Sequence, residues 1–188
     1  MNHLHDIINE RSNIKHRGHM SARSNYVRKE YPETTAAYMA GILDGEGCLS
    51  IGNFSGNRKN GDRHFQTNIA VSSTDKVLID WIVETFGGYQ GTYTPKQMAR
   101  NGRKQVYRWQ CSSDRLLHIC EITLPYLKIK KRQAEILIEM RKTFTNSHNI
   151  KGKRCAQNLT PEILALRQSY FDEIKALHNR TYSYKNDK

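Results

Sequence analysis

Residues 64–72, His-Phe-Gln-Thr-Asn-Ile-Ala-Val-Ser, alternate along their whole length: Phe65, Thr67, Ile69 and Val71 fall on one side, His64, Gln66, Asn68, Ala70 and Ser72 on the other. A period of two is the mark of a strand with one face on a core and the other face uncovered. Residues 105–112 repeat the pattern, with Gln105, Tyr107, Trp109 and Cys111 alternating with Val106, Arg108, Gln110 and Ser112. Only the set holding Trp109 suits a core, which leaves Arg108 and Gln110 on the same uncovered face as Gln66 and Asn68. Such a chain builds a sheet whose apolar side must be covered by other elements.

The flanking segments supply the cover. Residues 1–31 mix His, Arg, Ser and Asn with little apolar periodicity and read as a basic N-terminal arm that ends near Pro32. Thr34 or Thr35 caps a predicted helix to about Asp44, stopped by Gly45 and Gly47. Residues 48–54 form a strand, turned into the alternating strand by the Gly-rich loop 55–62. Ser73 or Thr74 caps a second helix ending at Gly87-Gly88, and two strands follow, near 89–94 and 105–112, joined by the basic turn 96–104. Further helices are predicted from about Asp114 to Leu124, from Lys131 to Phe144, and from Pro161 to about His178. The fold class is α+β, an αββαββα domain with an antiparallel sheet and an added C-terminal helix. Residues 1–33 form the arm and 34–188 a single domain.

The formal net charge of +12 is local, because residues 101–159 hold thirteen Lys and Arg against four Asp and Glu. Clustered cations point to a polyanion, since they release condensed counterions from a phosphate backbone. Arg58, Lys59 and Arg63 gather at one hairpin tip, and Arg100, Arg103 and Lys104 at the other. On the uncovered face His64, Gln66, Asn68, Arg108 and Gln110 include the side chains that pair with guanine and adenine edges, and a twisted ribbon fits a major groove. A solvated basic surface and an anionic membrane surface are the alternative readings of the charge. No apolar run approaches the roughly 20 residues of a spanning helix. The first residues also lack the apolar stretch of a signal peptide, so the expected location is an intracellular compartment that holds DNA. Cys48, Cys111, Cys120 and Cys155 match no zinc or redox-pair spacing and read as packing residues.

One helix carries more than packing. Gly41, inside it, costs about 1 kcal/mol relative to alanine and so calls for a reason. Ala37, Gly41 and Gly45 recur every fourth residue, a stripe poor in side chains along which another helix backbone can approach. That helix belongs either to this domain or to a second copy. Glu46 follows at the C-terminal end, where the helix dipole disfavours an anion. If two such helices pair, two carboxylates meet, and a divalent cation with hard oxygen ligands resolves the conflict; Mg2+ with phosphate oxygens suits the site.

Tyr38-Met39-Ala40-Gly41-Ile42-Leu43-Asp44-Gly45-Glu46-Gly47 resembles the signature helix of the LAGLIDADG homing endonucleases, and Leu124-Pro125-Tyr126-Leu127-Lys128-Ile129-Lys130-Lys131-Arg132-Gln133-Ala134 resembles the basic segment before that family's next helix. The likeness covers about residues 34–145, element order included, and the final helix is similar to C-terminal helices of some members. The resemblance implies a saddle of two sheets over DNA. With a single signature in the chain, it also implies a homodimer paired through Ala37, Tyr38, Gly41 and Gly45 and a near-palindromic target. Glu46 matches the metal-binding acid, with Gly45 beside it in the same metal site. Asp44 matches a structural position, and Lys130 matches the basic residue near the scissile phosphate. Ser73 stands near a position where many members carry a Gln that organises water, the third candidate catalytic residue. Ser50, Gly52 and Phe54 match DNA-facing positions of the first strand.

The activity so implied is Mg2+-dependent, site-specific hydrolysis of both strands of a long duplex target, as in intron homing. Mn2+ is expected to replace Mg2+, and Ca2+ to support binding without cleavage. The chemistry needs an activated water, neutralised phosphate charge and help for the leaving 3′ oxygen. Two other functions stay open: a maturase that binds intron RNA, and a non-catalytic DNA-binding protein of the same fold.

Overall fold

The computed structural model describes residues 26–55, 63–93, 104–144 and 160–180. Among the described residues five helices and four strands follow one another: α1 (Glu33–Glu46), β1 (Gly47–Ser55), β2 (Arg63–Ser73), α2 (Lys76–Phe86), β3 (Tyr89–Tyr93), β4 (Val106–Cys111), α3 (Ser113–Thr123), α4 (Lys131–Lys142) and α5 (Pro161–Arg180). The strands make one sheet in the order β1-β2-β4-β3, antiparallel throughout. The class is α+β, as the alternation and element order predict.

Register divides the sheet into two faces. Leu49 stands opposite Ile69 and Ile51 opposite Thr67, while Ile69 and Val71 oppose Cys111 and Trp109 of β4. Partners across an antiparallel pair point the same way, so these residues form one inner face, and all of them are buried. The helices cover it. From α1 come Met39, Ala40 and Leu43, from α2 Ile79, Ile82 and Phe86, and from α4 Ala134, Ile136, Leu137 and Met140. Trp109 is fully buried, and its indole N–H donates to the Gly87 carbonyl at 2.6 Å, meeting the polar need of a buried indole. α5 closes the hairpin end: Phe171 meets Phe65 edge-on at 6.2 Å, Asn53 donates to Gln168 at 3.3 Å, and Arg132 of α4 forks onto Glu173 at 2.7 and 3.1 Å.

The stretch before α1 is fastened to the helical layer. The Tyr26 hydroxyl lies 2.7 Å from His118 Nδ1, Arg28 pairs with Glu121 at 2.7 Å, and Tyr31 stacks at 4.8 Å on Phe86.

Three local expectations are revised. α1 is not capped by Thr34 or Thr35; Pro32 is its N-cap, and its carbonyl accepts from Thr35 N at 3.0 Å and Ala36 N at 3.1 Å. Proline, with φ already fixed and no N–H to satisfy, suits the approach to a helix, and Glu33 sets an acid in the first turn. α2 is capped by Asp75, which accepts from Val77 N at 2.9 Å, because Ser73 is still paired in β2 opposite Tyr107. α1 runs through Gly45 to Glu46, so Glu46 is the last helical residue rather than the first beyond the end. The turn into β1 takes no loop, because Gly47 is at once cap and strand. A Cβ there would lie 2.6 Å from the Leu43 carbonyl oxygen, so only glycine passes.

Candidate active site and nucleic-acid interface

The C-terminal turn of α1 and residues 128–130 are built into one unit. The Asp44 carboxylate accepts three backbone N–H groups, from Lys128 at 2.8 Å, Ile129 at 3.2 Å and Lys130 at 2.9 Å. Burial works against its ionisation, but those three donors and the Lys130 charge outweigh it and hold the carboxyl below its ordinary range. Lys130 turns back, and its Nζ donates to the Leu43 and Asp44 carbonyls at 2.8 Å each. It caps the negative end of the helix from outside, meeting carbonyls that a helix terminus leaves unpaired. Burial lowers its pKa from the ordinary lysine value, against the charges of Asp44, Cys48 and Glu46. Two of the three ammonium N–H groups are occupied by those carbonyls, leaving one to offer.

Glu46 is exposed at the tip of α1 and makes no hydrogen bond or ion pair among the described residues. Among those residues no group of three or more His, Cys, Asp and Glu side chains could enclose a metal ion. One chain thus presents one free carboxylate beside backbone carbonyls of a helix end. That set fits Mg2+, which keeps several waters and takes one or two carboxylates together with substrate phosphate oxygens.

Glu46 and Lys130 are brought together, and Ser73 is not. Its Oγ accepts the Asp75 N–H at 3.0 Å, at the turn into α2. Ser73 does lie at the same end of the sheet, two residues past the Val71 that opposes Gly47.

The small-residue stripe of α1 is left open. Gly41 and Gly45 are exposed, and a Cβ added at either would meet nothing within 4 Å; Ala37 is half-buried. Tyr38 beside them is 56% exposed, with its ring edge-on to Trp81 at 4.8 Å. Among the described residues nothing packs into the space that side chains at Gly41 and Gly45 would fill.

The outer sheet face carries most of the remaining candidates. Ser50 opposes Asn68, Gly52 opposes Gln66 and Phe54 opposes His64, while β4 adds Arg108 opposite Ser72 and Gln110 opposite Ala70. Gln66, His64, Phe54 and Arg108 are exposed, and Ser50, Gly52, Asn68 and Gln110 are half-buried between neighbouring strands. Lys104 is exposed just before β4, and Arg63 opens β2 opposite Ser55. Arg58, Lys59 and Arg103, and Arg100 with them, lie outside the described residues. Ala70 is on this face, as the alternation places it, yet buried, its small side chain shielded by strands on both sides. One outward residue went unread in the sequence. Tyr89 opposes Gln110 and is 47% exposed. The alternation Tyr89, Gly91 against Gln90, whose side chain turns inward to Asp80, was the available signal.

No family profile matches the sequence, and no curated protein sequence does. Solved structures do match. The homing endonuclease I-CvuI, in complex with its target in the presence of Ca, superposes with a TM-score of 0.59 over 77% of this chain and 82% of that one, at 18% identity. The archaeal intron-encoded homing endonuclease I-Vdi141I, complexed with DNA, gives 0.59 over 77% and 84%, at 14% identity. The LAGLIDADG meganuclease I-AabMI, bound to uncleaved DNA, gives 0.51 over 72% of this chain and only 43% of its own length, at 16% identity. Among the described residues no helix is long and apolar enough to cross a membrane. At these identities the likeness lies in the path of the chain, and that path is the LAGLIDADG homing endonuclease fold.

Proposed function

We propose that two copies of this chain form a metal-dependent, site-specific endonuclease that cuts both strands of a long, near-palindromic duplex. The observation that carries the reading is the open glycine stripe of α1. A helix that forgoes side chains at Gly41 and Gly45, with none of the described residues in the space, is shaped for a second backbone. The only partner that duplicates the stripe is another copy, and a two-fold axis there brings two Glu46 carboxylates together, with two polar sheet faces on either side. The solved structures add support from outside, since I-CvuI and I-Vdi141I are described as complexes with a target or with DNA.

The paired Glu46 side chains, with Gly45 beside them, would hold Mg2+, which when bound neutralises phosphate charge and lowers the pKa of a water. The protein's own residues do the rest. Lys130, fixed on two carbonyls, has one N–H left to stabilise charge on the scissile phosphate or to order the attacking water. Asp44 is a positioning residue, because it holds the 128–130 backbone from which Lys130 projects. Ser73, if it acts, does so by ordering solvent. Water adds to phosphorus, the bond to the 3′ oxygen breaks, and the proton released by the water passes to solvent or to the departing oxygen. Ser50, Gly52, Phe54, His64, Gln66, Asn68, Arg108 and Gln110 face the duplex. Arg58, Lys59, Arg63, Arg103 and Lys104 flank it, together with the arm of residues 1–33. Such a protein works in a DNA-containing compartment.

The test is a cleavage selection on a duplex library with randomised palindromic half-sites in Mg2+, comparing wild type with Glu46→Gln. One symmetric site cut only by wild type supports nuclease, dimer and acid together. Mn2+ should restore cutting after chelation, and Ca2+ binding alone. Folded protein that cuts no duplex but binds structured intron RNA would replace this reading with a maturase.

A further inference from the structure

Two exposed aromatic rings pack over glycines on the outer face of the sheet. Phe54 on β1 is 54% exposed, and a Cβ on Gly52 would lie 2.6 Å from its Cε2 and 2.9 Å from its Cζ. Tyr89 on β3 is 47% exposed, and a Cβ on Gly91 would lie 3.2 Å from its Cε1. Glycine weakens a strand interior, and one reason to keep it is the close approach of another group. At both positions that group is the aromatic ring two residues along the same face. β1 and β3 are the two edge strands, so the rings flank the polar strip of Asn68, Gln66, Arg108 and Gln110. Neither ring belongs to the hydrophobic core. Each leaves apolar ring surface exposed, among side chains otherwise able to hydrogen-bond.

A polar strip reads hydrogen-bonding groups, whereas an apolar plate reads the one apolar group a major groove displays, the C5 methyl of thymine. We propose that the Phe54 ring, seated in the space Gly52 leaves open, is a thymine-selecting contact, and that Tyr89 over Gly91 makes the corresponding contact on the opposite edge. This rests on the reading of the sheet as a duplex surface. It also gives Gly52 a purpose: with no side chain it reads nothing, and it acts as a positioning residue that lets Phe54 do so.

The experiment takes the duplex recovered by the cleavage selection and replaces each thymine in turn by deoxyuridine, in both half-sites, measuring Kd at fixed salt. Wild type should lose about fourfold per half-site at one thymine through Phe54 and at another through Tyr89, the size of one buried methyl group, about 0.8 kcal/mol. Phe54→Ala should bind thymine and uracil duplexes equally at the first position only, and Tyr89→Ala at the second only. Gly52→Ala pushes the ring aside, so it should erase the first preference while having no further effect in a Phe54→Ala background. A circular dichroism melt confirms that each variant is folded, which the exposure of both rings favours. A duplex that is bound and cut, with a flat uracil scan or a preference that survives Phe54→Ala, overturns this inference alone. So does a target in which no thymine is selected. Folded protein that binds no duplex overturns both this and the endonuclease reading.

Discussion

Asp44→Asn is the sharpest test of how the site is assembled. In the structure the carboxylate spans 84 to 86 residues of sequence to take three backbone N–H groups at 2.8, 3.2 and 2.9 Å. Net hydrogen bonds contribute about 1 kcal/mol each, and more when one partner is charged, but Asp44 is only half-buried, which weakens them. Asparagine keeps one oxygen and turns an N–H2 towards a donor, so one or two of the three bonds fail. The expected loss is about 2 kcal/mol, or roughly 4–8 °C in Tm for a chain of this length. The assay is thermal and urea unfolding at one fixed protein concentration, since the proposed dimer would make Tm depend on it. Glu33→Gln is the control: Glu33 accepts a single bond, from the Tyr126 hydroxyl at 2.7 Å in an exposed position, and its loss should leave Tm close to wild type. If Asp44→Asn melts with wild type, or no lower than the control, residues 128–130 are not held by this carboxylate. Lys130 would then need another explanation for its place.

Three further outcomes follow from the same coordinates. Gly41→Leu should leave the monomer folded, since nothing lies within 4 Å of the new side chain, yet abolish dimerisation; a dimer in sedimentation velocity would refute the pairing helix. His118 has its pKa lowered from 6.5, first by burial and then by the Arg28 charge, so below about pH 6.5 the unfolded chain takes up the proton first. Wild-type stability should therefore fall as pH drops from about 6.5 through the lower folded value, and His118→Gln should flatten that part of the stability curve. Deleting residues 1–31 should lower Tm, by removing the contacts of Tyr26, Arg28 and Tyr31 to His118, Glu121 and Phe86, and should reduce the salt slope of DNA binding; an unchanged Tm would refute the fastening and an unchanged slope the DNA contact.

The sheet was legible because its residues obey a period of two. Phe65, Thr67, Ile69 and Val71 are buried and His64 and Gln66 exposed, as alternation requires. Helix ends were less legible. Thr34, Thr35, Ser73 and Thr74 are all good caps by type, but a cap is decided by where the strand before it ends and by backbone angles that type alone does not fix. Pro32 and Asp75 took those places for that reason. The outward aromatic Tyr89 was missed because a five-residue strand with a central glycine offers only two alternations to read.

The reading of Glu46 shows the limit most clearly. The sequence argument set Glu46 at the negative end of a helix, where an anion is disfavoured, and called for a metal where two such carboxylates meet in a pair. The structure supplies a cation for that helix end already: Lys130 donates to two carbonyls of the last turn, from 86 and 87 residues away in sequence, a neighbour that no local pattern announces. The dipole conflict is therefore largely met within one chain, and by itself no longer calls for a metal. What still calls for one is the pairing. Lys130 spends two of its three N–H groups on its own helix, so when a second α1 brings a second Glu46 to the axis, two carboxylates face each other with little cationic capacity left between them. The case for a divalent ion thus rests on the proposed dimer alone. It follows that Gly41→Leu, which touches no acid, should abolish high-affinity Mn2+ binding as fully as Glu46→Gln does, and a monomeric Gly41→Leu protein that binds Mn2+ like wild type would break the link.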